Sequence, residues 1–280
     1  MTIDERPAAE RGALAGAALT DTIFGPVVWV AETGSTNDDL LAAARTGAAA
    51  GSVLVADHQR AGRGRRDRSW VTAPGDALLV SVLVDFDDAD EAAALATTLI
   101  ATSAVEALHA FGYDMVRIKW PNDLVVGEPG AHRKLAGILA QAVAVDGRVR
   151  VVIGMGLNLR GARLDADGAV ALDQLERSVD PAVGDPAPLA GAYEVLVAVL
   201  EHFDRWWTRL GEPDGRESLR AAWLAESATV GTRVRADLGD QVVTGLAASV
   251  TADGALVVEP HGGDALVIRT ADVVSLRPLV

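Results

Sequence analysis

Four β-rich runs follow one another between residues 115 and 159, and they constrain the possible folds of this chain more than any other feature. They are MVRIKW (115–120), DLVV (123–126), KLAGILAQAVAV (134–145) and RVRVVIGMGLNL (148–159). Short polar or glycine-bearing turns separate them. Turns of this length join antiparallel neighbours, because a parallel crossover needs about a dozen residues or more. The middle of the chain therefore predicts a mostly antiparallel stretch of sheet.

Helical and further strand patterns flank this region. Ser35 or Thr36 can cap a helix that ends near Gly47, because their oxygens accept from free backbone N–H groups. The additional strands are predicted at 27–32, 52–57 and 77–85, and the longer helices at about 88–111, 189–210 and 215–226. The sequence thus predicts an α/β (α+β) domain with a mixed, mostly antiparallel sheet and flanking helices.

The two ends of the chain differ from this central domain. Residues 1–26 are rich in alanine and other small residues, and we expect a weakly ordered arm. Short strands separated by Gly-Asp turns follow residue 228, which is typical of a small β-barrel. The predicted organisation is an arm at 1–26, a main domain at 27–227 and a barrel at 228–280.

Composition narrows the class of protein. The chain has 280 residues, a formal net charge of −14 and no cysteine. So acidic a chain is a poor general binder of nucleic acid, and thiol chemistry and disulfides are excluded. No uninterrupted apolar run reaches the roughly 18–20 residues of a membrane span, and the N-terminus does not resemble a signal peptide. We expect a cytoplasmic protein that does not bind membranes.

Positive charge is nevertheless concentrated in one loop. AGRGRRDRSW, residues 61–70, contains four arginines and follows Arg60. Gly62 and Gly64 allow close approach of backbone to a ligand, and arginine side chains are suited to carboxylate and phosphate. The alternative is a solvated basic loop. The functional interpretation predicts a small, strongly anionic ligand.

The chain has only two lysines, Lys119 and Lys134, against 23 arginines. Lysine carries a compact charge that an arginine fork does not reproduce, so a lysine retained in such a sequence is a functional candidate. Lys134 opens the apolar strand KLAGIL, from which a point charge can act on a carboxylate or phosphoryl oxygen. Alternatively, its stem lies along apolar surface and its charge stays in water.

Other polar groups accompany the lysines. In KWPND, Asp123 can orient a cation near Lys119, or Asn122 and Asp123 can simply satisfy the turn backbone. In GMGLNL, the side-chain amide of Asn158 has a donor and an acceptor that match the edge of a purine base. Alternatively, Asn158 simply ends a glycine-bearing strand at a turn. The five histidines lack metal-ligand spacing, and no Ser-His-Asp set is evident. Chemistry by positioning and charge neutralisation is therefore favoured.

Taken together and in order, these motifs resemble those of the biotin protein ligases. The matching segments are GSTND (34–38), QRAGRGRRDRSW (59–70), KWPNDL (119–124), KLAGIL (134–139), GMGLNL (154–159) and VVSLRPL (273–279). The resemblance implies a catalytic domain at 27–227, which binds biotin and ATP, and a C-terminal SH3-like barrel. It also implies two steps, formation of biotinyl-5′-AMP from biotin and Mg-ATP and then transfer to a lysine of a biotin carboxyl carrier domain.

Roles for the residues that handle biotin follow from the same resemblance. Ser35, Thr36, Asn37 and Gln59 are expected to hydrogen-bond the ureido head and the pocket entrance, and Gly137 to permit close approach to biotin. The loop backbone at Gly62 would also approach the ligand.

The resemblance also assigns the charged end of the site. Arg63, Gly64 and Arg65 are expected to contact the carboxylate and phosphate, and Lys134 to neutralise the charge between them. The catalytic set is then Lys134, Arg63, Arg65 and Asp123. Other residues are expected to support ATP. Trp70 would cover the adenylate, and Lys119 with Asp123 would support the phosphates and Mg²⁺. Asn158 would contact adenine, and Arg277 of the barrel would approach the ATP site. No protein metal-ligand set is predicted.

The short segment before the first predicted strand has a further consequence. A winged DNA-binding domain of the kind that some family members carry takes roughly 60 residues or more, and only about 26 precede that strand. We therefore expect no DNA binding. Two alternatives remain open: a lipoate-protein ligase, and a non-enzymatic module that binds a nucleotide or biotin.

Overall fold

The computed structural model describes residues 3–86, 89–145, 147–162, 164, 168–178, 190–239, 241–269 and 272–275. The helices are α1 (Ala8–Ala18), α2 (Thr36–Arg45), α3 (Ala89–Ala110), α4 (Ala192–Arg209) and α5 (Gly215–Ala225). The strands of the main sheet are β1 (Val27–Thr33), β2 (Val53–Gln59), β3 (Ala77–Phe86), β4 (Arg117–Lys119), β5 (Asp123–Val126), β6 (Arg133–Val145) and β7 (Arg148–Asn158).

The main sheet has seven strands in the order β1-β2-β3-β7-β6-β5-β4. Only β1 and β2 pair in parallel, and α2 forms the connection between them. All the other pairs are antiparallel, including the hairpin of β6 and β7. The prediction of a mixed, mostly antiparallel sheet with flanking helices is confirmed.

The alternation of side chains along the strands gives the sheet two different faces. One face packs against α1, α3 and α4, and contributes Val82 and Ile153 to the large core. The other face carries Leu83 and Val152, which pack against α2. Because α2 is short, part of this second face remains uncovered.

The N-terminal segment differs from the expected weakly ordered arm. Residues 8–18 form α1, which packs against β1 and α4 and buries Ala15 and Leu19. Gly12 makes the close approach possible, since a Cβ there would lie 3.1 Å from Trp29 N and Val27 O. The alanine-rich composition therefore reflects helix packing instead of weak order.

Helix α3 lies mostly inside the protein. By length and composition alone, its stretch Ala92–Ala110 is apolar enough to cross a membrane, but 61% of it is buried. Thr and Ser side chains interrupt its apolar sequence, and Ser103 Oγ donates to Leu99 O at 2.7 Å. Since the helix packs against α4 and the sheet, it serves as a core helix.

The C-terminal region forms a separate antiparallel sheet. Its strands are β8 (Arg233–Asp237), β9 (Val242–Val250), β10 (Leu256–Pro260), β11 (Leu266–Ile268) and β12 (Asp272–Ser275), in the order β11-β10-β9-β8-β12. Trp120 connects the two sheets, because its Nε1 donates to Gly254 O at 2.9 Å and its backbone N donates to Thr229 Oγ1 at 2.9 Å.

Candidate active site

A cavity of about 490 Å³ lies on the uncovered part of the second face. It receives the N-terminus of α2, the arginine-rich loop, the turn between β4 and β5, and the middle of β6 and β7. The predicted residues that line it are Ser35, Thr36, Asn37, Gln59, Arg63, Gly64, Arg65, Trp70, Lys119, Asp123, Lys134, Gly137 and Asn158. Residues more than 100 positions apart thus meet in one space.

Two predicted site residues are not among those lining the cavity. Gly62 lies at the base of the loop beside Trp70, where a Cβ would come within 2.5 Å of Trp70 O. It permits the close backbone approach within the loop itself. Arg277 lies outside the described residues, although Val273 of β12 reaches the cavity wall.

At the start of α2, the residues that line the cavity, Ser35, Thr36 and Asn37, are polar and uncharged. Ser35 caps the helix and accepts from Asp38 N at 3.4 Å. Thr36 N donates to Gln59 Oε1 at 2.7 Å, which joins the helix to the end of β2. Ser35, Thr36 and Asn37 are all buried. This end suits a neutral ligand group with its own donors and acceptors.

The arginine-rich loop folds as a small hairpin over the cavity. Trp70 N donates to Gly62 O at 2.9 Å, and Gly64 N donates to Arg68 O at 2.6 Å. At the tip, Arg66 takes a positive φ of 54°, a region that residues other than glycine rarely occupy.

Arg63 and Arg65 connect the loop to two neighbouring elements of the main domain. Arg63 Nε lies 2.9 Å from Asp38 Oδ2 of α2. Arg65 donates from Nη1 to Asn122 Oδ1 at 3.3 Å. Asn122 in turn donates from Nδ2 to Ile138 O at 2.7 Å and accepts from Ile138 N at its backbone oxygen at 2.9 Å. The contacts of Asn122 connect the loop to β6.

Lys134 and Asp123 form an ion pair at the centre of the cavity. Lys134 Nζ lies 2.7 Å from Asp123 Oδ1, and 5.6 Å from the centre of the Trp70 ring. Asp123 begins β5 and pairs with Gly137 of β6, so the sheet brings the carboxylate and the ammonium together. This pairing holds the ammonium while leaving 40% of the lysine side chain exposed.

The cavity floor beneath Trp70 is made of glycine. A Cβ on Gly156 would lie 2.5 Å from Trp70 Cε2, and one on Gly137 would lie 3.1 Å from Trp70 Cζ3. The indole therefore rests directly on the backbone of β6 and β7. Its Nε1 is buried without a hydrogen-bond partner, which is an unfavourable state for a donor unless a ligand satisfies it.

Asn158 and Lys119 occupy the far wall. Asn158 is 3% exposed, and its Nδ2 donates to Val170 O at 3.0 Å. Near Lys119, burial lowers the pKa of His132, and the positive charge of Lys119 lowers it further, while Glu128 raises it. The roles expected for Asn158 and Lys119 at ATP stay predictions.

Sequence reasoning missed some cavity residues. Asn122 was counted only as a possible turn residue, although it contacts Arg65. Gly154 and Gly156 received no role, yet they form the floor under Asn37 and Trp70. Their position in the motifs KWPND and GMGLNL was the available signal.

The cavity offers little to a metal ion by itself. No group of three or more His, Cys, Asp or Glu side chains suited to a metal occurs among the described residues. Among the described lining residues, Asp123 is the one carboxylate, and Lys134 pairs with it. Such a site suits Mg²⁺ that arrives coordinated by phosphates, because Mg²⁺ is commonly held by one or two carboxylates plus substrate phosphates.

Comparison with known sequences shows the class of protein to which this chain belongs. Residues 30–158 match the Biotin/lipoate A/B protein ligase family. The biotin–[acetyl-CoA-carboxylase] ligase of Mycobacterium tuberculosis is 37% identical over 258 residues, which cover 89% of this chain and 88% of that protein. The enzyme of the same name from Paracoccus denitrificans is 32% identical, covering 84% of this chain and 94% of the other.

The chain accordingly belongs to the biotin protein ligase family, and it is a ligase. The fold of a solved structure agrees. Biotin protein ligase from Aquifex aeolicus, in complex with biotin and ATP, superposes with a TM-score of 0.69 at 22% identity, covering 89% of this chain and 98% of that one.

Proposed function

We propose that this ligase activates biotin with ATP and transfers it to a lysine of a biotin carboxyl carrier domain. The main support is the polarity of the cavity. One end is neutral and hydrogen-bonding, at Ser35, Thr36 and Asn37, and the other is cationic, at Lys134 and the arginine-rich loop. Biotin has the matching shape, with an uncharged ureido ring at one end and a carboxylate at the other.

In the first step, a biotin carboxylate oxygen attacks the α-phosphorus of ATP. A new P–O bond forms, the bond to the leaving phosphate breaks, and biotinyl-5′-AMP and pyrophosphate result. Two anions must approach, so cations that reduce their repulsion lower the barrier. Lys134 is the point charge between them, Asp123 orients it, and Arg63 and Arg65 bind the carboxylate and phosphate oxygens.

In the second step, a neutral lysine amine of the carrier attacks the carbonyl carbon of the mixed anhydride. The C–O bond to AMP breaks, an amide forms, and the amine proton passes to solvent. The loop backbone at Gly64 and the indole of Trp70, which both line the cavity, would cover the intermediate and limit its hydrolysis.

The remaining assignments concern ATP. Asn158 would contact adenine, Lys119 would support the phosphates, and Arg277 of the C-terminal domain would approach them. Mg²⁺ would enter with ATP as part of the substrate, with Asp123 as its nearest protein carboxylate. Gly137 would leave space for biotin beside Lys134.

Our proposal includes the cellular setting and domain division. The enzyme would act in the cytoplasm, on carrier domains of acetyl-CoA or acyl-CoA carboxylases, and without binding DNA or membranes. Residues 27–227 would form the catalytic domain and 228–280 the C-terminal domain.

Labelling of a carrier domain tests the proposed function. Radiolabelled biotin, ATP, Mg²⁺ and a purified biotin carboxyl carrier domain should give labelled carrier, and omission of ATP should abolish labelling. A carrier whose acceptor lysine is replaced by arginine is the matched control.

Two results would contradict the proposal. Preferential transfer of lipoate to a lipoyl domain would indicate the lipoate-ligase alternative. Binding of biotin or ATP without labelling of any carrier would indicate a non-enzymatic module.

A further inference from the structure

The side chain of Asn37, from α2, lies against three paired residues of the main sheet. Ser81 of β3 pairs with Gly154 of β7, and Gly154 pairs with Leu139 of β6. Gly154 leaves room for the Asn37 carboxamide, because any Cβ at this position would overlap Asn37 Oδ1. The amide therefore lies flat on the sheet at the polar end of the cavity.

Hydrogen bonds determine which way this amide faces. Asn37 Nδ2 lies 3.1 Å from Leu139 O and 2.9 Å from Gln141 Oε1. A backbone carbonyl only accepts, so the nitrogen of the amide must face Leu139, and Gln141 must present its oxygen. Both amide hydrogens of Asn37 are then used within the protein.

The oxygen of the same amide has capacity left. Ser81 Oγ lies 2.6 Å from Asn37 Oδ1 and 2.8 Å from Thr36 Oγ1. Because an amide oxygen only accepts, the single hydroxyl hydrogen of Ser81 goes to Asn37, and the Thr36 hydroxyl donates to Ser81. An amide oxygen accepts two hydrogen bonds, so one position remains. Asn37 can therefore offer a ligand an acceptor but no donor.

Gln59 has the opposite character. Its Oε1 accepts from Thr36 N at 2.7 Å, and Thr36 Oγ1 lies 3.0 Å from the same oxygen. Its Nε2 remains as the group that can donate toward the cavity, which Gln59 lines. An acceptor at Asn37 and a donor at Gln59 complement a ring that carries N–H beside C=O.

We propose that Ser81 and Gln141 are positioning residues that fix the orientation of Asn37, so that the site selects a ligand with a ring N–H at this point. This inference rests on the proposed function, in which the ring is the ureido ring of biotin. Ser81 is fully buried, and neither residue is among those lining the cavity, so both act through Asn37. With its amide flipped, Asn37 would place its own N–H group against the ring N–H of the ligand and repel it.

Substitutions at Gln141 test this assignment by calorimetric measurement of ligand binding. Gln141→Leu removes the acceptor for Asn37 Nδ2 and should raise the Kd for biotin about 10-fold, in line with the loss of one oriented hydrogen bond. Gln141→Glu keeps an acceptor of the same size and should restore the Kd to within about 3-fold of wild type. Ser81→Ala should show a loss in the same direction as Gln141→Leu.

A pair of biotin analogues separates orientation from general damage. In each, one ureido N–H is replaced by a ring oxygen, giving a cyclic carbamate. The analogue that lacks the N–H facing Asn37 should bind wild type and Gln141→Leu about equally, whereas the other should lose affinity as biotin does. Equal losses for biotin and both carbamates, or no rescue by Gln141→Glu, would overturn the inference.

Wild-type protein provides the separate check on the proposed function. Failure of the wild type to bind biotin would overturn the proposed function and this inference with it. If the wild type binds biotin normally but the variants lose affinity equally for biotin and both carbamates, only the roles of Ser81 and Gln141 would be overturned.

Discussion

Lys134 shows how strand pairing holds a single charge in place within the cavity. Asp123 holds its ammonium at 2.7 Å, and the strand pairing of β5 with β6 places both groups at one point. An arginine at the same position would also pair with Asp123, but its planar fork spreads the charge and needs more space. We therefore expect the proposed role of position 134 to depend on the geometry of lysine.

Replacement of Lys134 by arginine should separate binding from chemistry. We expect Lys134→Arg to bind biotin within about 3-fold of wild type and to lose about 100-fold in adenylate formation, the size of effect seen when one oriented charge-stabilising group is lost. Pyrophosphate release under single-turnover conditions measures the first step directly. Near-normal turnover by Lys134→Arg would refute the assigned role.

Gly156 is a second residue whose identity we expect to matter, because Trp70 lies directly against it. A Cβ at this position would lie 2.5 Å from Trp70 Cε2 and 2.7 Å from Trp70 Nε1. Contacts so short require the indole to move, since the strand backbone beneath it is held by pairing on both sides. Trp70 and the loop that carries it would be displaced together.

Gly156→Ala should therefore lower ligation by about 10-fold or more, because misplacement of a covering group by an ångström is costly. Carrier labelling at saturating biotin and ATP measures the effect. In the Trp70→Ala background, the same Gly156→Ala change should cost little further activity. An undiminished cost in that background would show that Trp70 is not the cause.

At the scale of elements, α1 is attached to the main sheet by one buried arginine. Arg11 is 6% exposed, and its Nη2 lies 2.5 Å from Asp57 Oδ2 of β2. Its guanidinium also lies 4.4 Å from the centre of the Trp29 ring of β1, and Trp29 Nε1 donates to Asp57 Oδ1 at 2.9 Å. The cluster joins α1, β1 and β2 two residues before Gln59.

Removal of Arg11 should destabilise the protein substantially. Arg11→Ala leaves Asp57 without its ion-pair partner, and we expect the free energy of unfolding to fall by about 3 kcal/mol. Arg45→Ala, at an exposed position in the last turn of α2, should cost less than about 0.5 kcal/mol. Urea unfolding of both variants provides the measurement, and similar values would contradict a structural role for α1.

At the scale of the whole molecule, Trp120 holds the two sheets together next to the active site. Its side chain is 3% exposed and donates to Gly254 O in the turn between β9 and β10. Arg220 of α5 adds a second link by donating from Nε to Val250 O at 2.9 Å. The C-terminal sheet is thereby positioned so that Val273 reaches the cavity wall.

Loss of the Trp120 hydrogen bond should weaken this junction. Trp120→Phe keeps an aromatic ring but leaves Gly254 O without its donor, and should lower the free energy of unfolding by about 1–3 kcal/mol. Trp206→Phe is the matched control, because Trp206 Nε1 donates to Glu106 Oε2 at 3.1 Å on a partly exposed surface. Its cost should stay below about 1 kcal/mol, and equal costs would argue against a special role for the junction.

Local pattern was sufficient for most of the elements, and the family resemblance supplied the identity of most predicted cavity residues. The β-rich runs and short turns predicted the antiparallel run from β4 to β7. A cap at Ser35 or Thr36 predicted the start of α2, and the structure has Ser35 as the cap. These signals succeed because they depend on neighbours within a few residues. The two lysines and the arginine-rich loop stand out for a similar reason, since their chemistry is unusual in an acidic chain.

Only the tertiary structure decided which groups meet and which way they face. The ordering of residues 8–18 depends on burial against β1 and α4, which alanine-rich composition does not reveal. The pairing of Lys134 with Asp123 depends on strand register, and the orientation of Asn37 depends on Ser81 and Gln141, which are distant in sequence. The physical reason is that a hydrogen bond or ion pair requires atoms within about 3 Å of each other, and such distances are set by packing between elements.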